Sequence, residues 1–267
     1  LKAFRALQYL IVESTNLKLE DVIPPYEPFK LDPNLKNAPV SIEMDFIAQD
    51  GIRYNYIVSY SSKEIQSEEL SFYPKNQKSR LFFREKGSSI IFGDYYRGDR
   101  KTIESQLLDN QLFLSKGANS NVEQLKPVYL YFKEKLSIVP FLYNRNENQL
   151  TRLFASRLAK DKNSIFSRKF KKLICAFDTG INDIHVEEVD PNKVKFPENV
   201  PLELRQEILN EFKFDIKTVH KSFNKGQFSG DIYFDIKDES VGTRSLFSIA
   251  GLILDTLEHG GILIIDE

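Results

Sequence analysis

The sequence predicts an α/β protein in which an antiparallel β region, a helical lobe and a closing helix–strand pair follow one another. Three observations carry this. From Val40 the apolar residues recur every second position, at Val40, Ile42, Met44 and Phe46, and again at Ile52, Tyr54, Tyr56 and Val58, the period of a strand. Near the end, Leu246, Ile249, Ala250, Ile253, Leu254 and Leu257 recur at three-and-four spacing, the apolar stripe of a helix. The four apolar residues Ile262–Ile265 follow almost at once, as in a strand buried on both faces.

Taken in order, Leu1, Phe4, Leu7, Leu10 and Ile11 mark one face of an opening helix over residues 1–20. Pro24, Pro25, Pro28, Pro33 and Pro39 then forbid a regular helix. Gln49-Asp50-Gly51 is a turn signal that joins the first two strands as a hairpin. Short apolar runs at 69–73, 80–84 and 89–92 complete an antiparallel sheet of four or five strands. After Lys101 the pattern turns helical, and residues 149–176 form a basic helical region with Phe154, Leu158, Phe166 and Phe170 as its inner face. Residues 184–189, 215–220 and 231–236 read as strands, and 202–212 as a short helix. Gly117-Ala118-Asn119-Ser120-Asn121 reads as a loop.

Composition excludes several classes. With 267 residues and 41% apolar side chains the chain can bury a real core. Its 28% charged and 12% aromatic content is not that of a disordered chain. No stretch approaches the roughly 20 apolar residues of a membrane helix. The single Cys175 leaves no internal disulfide and suits a reducing cytoplasm. His185, His220 and His259 lack zinc-ligand spacing. A net charge of −1 argues against a globally basic nucleic-acid coat. The helical start at Leu1 and the strand-like end at Glu267 suggest an excerpt of a longer protein.

The chemistry concentrates in the last 30 residues. Four apolar residues followed by Asp266-Glu267 form a Walker B pattern. At the end of a buried strand, Asp266 would hold Mg²⁺, a cation that takes hard oxygen ligands. Glu267 would orient and deprotonate the water that attacks a γ-phosphate. Upstream, Ser240, Gly242 and Thr243 open the long helix. A helix N-terminus binds anions, glycine lets a phosphate approach, and the threonine hydroxyl adds a donor. Each element has a plainer reading: Ser-x-Gly-Thr is also an ordinary N-cap. Their order and spacing together favour nucleotide hydrolysis.

Glu239-Ser240-Val241-Gly242-Thr243-Arg244-Ser245-Leu246-Phe247, followed by Gly260-Gly261 and Ile262–Glu267, resembles the signature-plus-Walker-B block of bacterial AAA/ABC-type ATPases. These are the ones grouped with the abortive-infection, overcoming-lysogenization-defect (OLD) and RecF/SMC-like ATPases. Ile65-Gln66-Ser67-Glu68-Glu69-Leu70, Leu112-Phe113-Leu114-Ser115 and Phe177–Ile184 are similar to the same family's upstream motifs. The resemblance implies a P-loop NTPase fold of the ABC-head type. It implies a partial nucleotide-binding lobe at 1–100, a helical basic lobe at 101–225, and the signature helix with Walker B strand at 226–267. It also implies ATP and Mg²⁺, a cytoplasmic location, and a homodimer sandwiching ATP, with Ser240 and Gly242 acting in trans and Asp266 and Glu267 in cis. The family's Gly-x-x-x-x-Gly-Lys-Ser/Thr loop is missing, since no Gly-Lys pair occurs. These residues alone are therefore expected to bind ATP weakly or not at all.

Other features have both readings. The basic stretch Arg152–Lys172 reads first as a solvated helix face, and otherwise as a contact for nucleic acid or an effector protein. Cys175 reads as a buried hydrophobe. Asp178-Thr179-Gly180 reads as a turn with glycine at positive φ. A non-catalytic interaction module that has lost its P-loop is the alternative to an ATPase.

Overall fold

The first helix, α1 (Lys2–Glu13), buries Ala6, Leu7, Leu10 and Ile11, the stripe expected from 3.6-residue periodicity. Phe4, expected on the same face, stays 37% exposed. In the computed structural model, residues 1–139, 146–177, 179–197 and 199–265 are described. They form a mixed α/β architecture in two compact units, Leu1–Pro140 with Ile264–Glu267, and Phe141–Leu263.

The first unit is built on a five-stranded antiparallel sheet with strands in chain order: β1 (Val40–Ile47), β2 (Arg53–Tyr60), β3 (Ile65–Phe72), β4 (Ser79–Glu85) and β5 (Ile91–Phe92). In β1 the odd-numbered positions 41, 43, 45 and 47 are exposed, while Val40, Ile42, Met44 and Phe46 turn inward. Tyr54, Tyr56, Val58 and Tyr60 of β2 are all buried. The short helices α2 (Lys101–Ser105), α3 (Phe113–Asn119) and α4 (Lys126–Leu130) follow, then a π turn over Tyr131–Lys135 and β6 (Leu136–Val139). Aromatic rings join sheet to helices: Phe82 meets Phe113 edge-on at 4.8 Å, and Phe46 stacks on Tyr131 at 4.6 Å. Gln8 Nε2 donates to the carbonyls of Phe132 and Leu136, both at 2.8 Å, fastening α1 to the start of β6.

The second unit holds α5 (Asn146–Lys160), α6 (Ile165–Ala176), β7 (Ile181–Glu188), α7 (Leu202–Glu211), β8 (Phe214–Asn224), β9 (Gln227–Asp235) and α8 (Val241–His259). Strands β7, β8 and β9 form an antiparallel sheet in that order. Its core takes Phe154 and Leu158 from α5, Phe166 and Phe170 from α6, Ile184 and Ile216 from the sheet, and Phe247 and Ala250 from α8. Burying such side chains is worth about 1.5–3 kcal/mol each, which explains how a stretch so rich in lysine and arginine still folds. Gly251 is where α8 meets α5: a Cβ there would lie 2.2 Å from Phe154.

Strand β10 (Ile262–Ile265) hydrogen-bonds to β6 in a two-stranded sheet, and its Ile264 packs against the first unit's core. The buried interior strand expected here is corrected. Ile262 and Ile265 are 39% and 38% exposed. A strand dry on both faces needs neighbours on both edges and layers above and below, and among the described residues β10 has β6 alone beside it.

Three smaller expectations also change. Gly117-Ala118-Asn119 is the last turn of α3, not a loop. Gly117 packs closely there: a Cβ would lie 2.5 Å from the Leu125 side-chain tip, which would have to shift. The opening helix stops at Glu13 and continues only as a 3₁₀ turn over Ser14–Asn16. Cys175 is half-buried rather than buried, and that partial burial pushes its thiol pKa up. Gly180 does take a positive φ, +73°, whereas Asp178 lies outside the described residues. Among the described residues no helix is long and apolar enough to cross a membrane.

Candidate functional site

The entrance of α8 gathers the sequence-predicted binding residues. Ser240 is the N-cap: its backbone is extended and its Oγ accepts from Thr243 N at 3.1 Å. The two hydroxyls, Ser240 Oγ and Thr243 Oγ1, lie 2.9 Å apart. Capping satisfies one of the four N–H groups a helix start leaves without partners. Val241 and Gly242 occupy the next two positions and both are exposed. N–H groups in the first turn of a helix are able to donate to an anion; here the two hydroxyls bond to each other and serve the cap. Ser240, Gly242 and Thr243 therefore share one exposed corner, and that corner is also an ordinary capped helix start.

Just before the cap, Glu239 turns its side chain into the sheet. Its Oε1 accepts from Thr218 Oγ1 and from His220 Nε2, the latter at 2.7 Å. Thr218 is fully buried, and the His220 and Glu239 side chains are 19% and 10% exposed. Arg244, in the first turn of α8, donates Nη1 to the carbonyls of Glu239 at 2.8 Å and Lys237 at 3.4 Å. The sequence pattern gives Glu239 no role, and His220 has no zinc-ligand spacing. Their only signal was the i, i+2 placement of Thr218 and His220 on one strand face; the partner stands 19 to 21 residues further on.

Arg244 also borders a groove of about 590 Å³. Ala155, Phe214, Ile216 and Ile236 supply its apolar lining, and Arg152, Glu211, Asp215, Asp235 and Lys237 its charges. Several of those charges are already engaged. Lys217 bridges Asp215 and Asp235 at 3.3 and 3.2 Å, and Lys237 Nζ sits 3.6 Å over the Phe212 ring.

The basic stretch is partly used up internally. Arg157 binds Asp255 at 3.0 Å and Glu258, and its guanidinium lies 3.7 Å from the Phe166 ring centroid. That hydrogen bond holds the Glu258 carboxyl below its usual range. Lys162 pairs with Glu187 and Lys171 with Asp183. Arg168, Lys169 and Lys172 face solvent on α6. Asp255, Glu258 and His259 could supply three metal-ligating atoms within 4.8 Å of one another, but both acids are already engaged by the Arg157 guanidinium.

In the first unit, two of the motif-like segments meet at a buried carboxylate. Glu68, from the 65–70 segment, is fully buried and accepts from the N–H groups of Phe113 and Leu114 at 2.7 and 2.9 Å. These residues belong to the 112–115 segment, whose Ser115 Oγ donates to Ile11 O of α1 at 2.6 Å.

The predicted metal ligand Asp266 and the predicted catalytic base Glu267 lie outside the described residues, which end at Ile265. Compared with protein-family models, with curated proteins and with solved structures, the chain matches none.

Proposed function

We propose that this chain is the part of an ABC-type ATPase head that carries the signature helix and the Walker B acids. The head binds and hydrolyses ATP in the cytoplasm, as a homodimer, to drive a conformational change in a phage-defence or DNA-maintenance system. One observation carries the reading: the build of α8 and its sequel. The helix opens on a capped, exposed Ser-Val-Gly-Thr corner suited to an anion. It closes on Gly260 in the left-handed conformation (φ +62°) and leads directly into β10, the strand before Asp266-Glu267.

In this reading Ser240, Thr243 and the Gly242 amide contact the triphosphate held by the partner head. Asp266 would hold Mg²⁺, which supplies positive charge against the phosphate oxygens when bound. Glu267 takes the proton of the attacking water. No Gly-Lys pair occurs in these residues, so the P-loop that cradles the β- and γ-phosphates must come from outside them.

Two results are expected. ATP turnover per head by the intact protein rises with protein concentration, because each site is completed by a second copy. A strictly concentration-independent specific rate overturns the trans assignment. Isothermal titration of the 267-residue chain alone with Mg-ATP gives no binding heat; micromolar binding overturns the assignment of the main phosphate contacts to a separate P-loop.

A further inference from the structure

We propose that Glu239 is a positioning residue, and that its clamp onto β8 aims the Ser240–Thr243 corner at the partner's nucleotide. The inference rests on the ATPase reading and deepens it. Its starting point is that helix ends fray, while a donor group that must meet a phosphate on another molecule has to be held in advance of the encounter.

The residue before the cap is held from two sides. Its carboxylate is drawn into the sheet by Thr218 Oγ1 and His220 Nε2, two donors two residues apart on one strand. Its carbonyl is held by Arg244 Nη1 from the helix's own first turn. The donors are themselves fixed. Thr218 is fully buried in the sheet, and the His220 ring packs against Phe234 at 5.0 Å. A Cβ on Gly180 would stand 3.7 Å from His220 Nδ1, so the turn before β7 backs the ring on its other nitrogen. The peptide joining Glu239 to Ser240 therefore has little freedom, and the amides of Val241 and Gly242 inherit a fixed direction.

This clamp is not what holds α8 in the unit. Phe247 and Ala250, one to three turns further along, anchor the helix in the apolar core. Loosening Glu239 should leave the helix in place and blur only its entrance. In a two-headed sandwich that impairs the meeting of the heads, not the chemistry after they have met.

The test uses the intact protein, with ATP turnover per head measured against protein concentration. For Glu239→Ala the half-maximal protein concentration should rise at least about tenfold, equivalent to about 1.4 kcal/mol of lost association between heads. The plateau rate should stay within about twofold of wild type, as expected when positioning is lost and chemistry is kept. His220→Gln, which keeps an N–H donor for the carboxylate, should behave close to wild type, and His220→Phe should follow Glu239→Ala. An unchanged half-maximal concentration in Glu239→Ala and His220→Phe overturns the clamp, as does a fall in plateau rate without that shift. If Glu239→Ala fails to fold, the histidine pair decides alone: equal behaviour of Gln and Phe overturns the proposal. A wild-type protein with no ATP turnover overturns the ATPase reading itself, a result distinct from active wild type with unaffected variants.

Discussion

Replacing Glu267 by Gln in the intact protein is expected to slow ATP turnover by about 10²–10⁴-fold, the usual worth of a positioned general base. Mg-ATP binding should persist. The amide keeps the size and one acceptor oxygen of the carboxylate but cannot take a proton from water at neutral pH. The change therefore removes a step made in the transition state and leaves ground-state contacts in place. Phosphate release at saturating ATP, paired with nucleotide binding by titration, separates the two. If the variant turns over ATP at the wild-type rate, Glu267 is not the base. If binding is lost along with turnover, its role is closer to that expected of Asp266. The retained bound ATP should also hold the two heads together, so the variant is the form in which a dimer should be easiest to see by sedimentation.

What the sequence revealed and what it hid divide along one physical line. Elements defined by local periodicity were readable. The stripe of α1, the alternation and turn of β1 and β2, and the Ser240 cap are each written in runs of neighbouring residues. The inner face of α5 and α6 was also visible, because Phe154, Leu158, Phe166 and Phe170 keep helical spacing and are all buried. Contacts between distant segments were not readable. Glu68 stands 45 and 46 residues from the amides it caps, and Glu239 is hidden from Thr218 and His220 in the same way. Nothing in a local pattern distinguishes a carboxylate that will be buried from the many that stay solvated. The terminal strand misled for the converse reason. Four apolar residues in a row look buried on both faces, but burial depends on which layers cover the strand, and Ile262 and Ile265 remain partly exposed. For the candidate site, the exposed corner of Ser240, Gly242 and Thr243 was visible in the sequence, but the clamp that holds it was not.

Glu68→Ala is expected to cost the first unit about 3–5 kcal/mol, the penalty for removing one partner of a buried charge pair. The carboxylate does three jobs. Leu112, the N-cap of α3, offers no side-chain acceptor, so Glu68 serves instead, taking the first two N–H groups of that helix. It accepts the Tyr56 hydroxyl at 3.0 Å across from β2. It also faces Arg84, whose Nη1 lies 4.0 Å away and donates to Gln111 O at 2.5 Å. Alanine leaves two buried amides and a buried phenol short of an acceptor, and takes the counter-charge from the largely buried Arg84, which keeps its bonds to the Gln111 and Leu108 carbonyls. Glu68→Gln keeps one acceptor oxygen, and should cost about 1–3 kcal/mol, the range for an unsatisfied buried group. The pH dependence gives a second handle. Burial pushes the Glu68 carboxyl up, against the pull of Arg84, the two amides and the tyrosine. The folded state thus holds this proton more tightly than the unfolded state. That contribution to stability is present at acid pH and is lost as pH rises from the ordinary carboxylate range through the raised value. Urea unfolding followed by circular dichroism at several pH values would show both effects. The glutamine variant, with no proton to lose there, should have a flatter slope over that window. If alanine changes stability by less than about 0.5 kcal/mol, the level of an ordinary surface substitution, the carboxylate is not the joint between sheet and helix described here. A large loss in alanine with an unchanged pH slope in glutamine would instead place the stabilisation in the capping hydrogen bonds, with no contribution from the titrating charge.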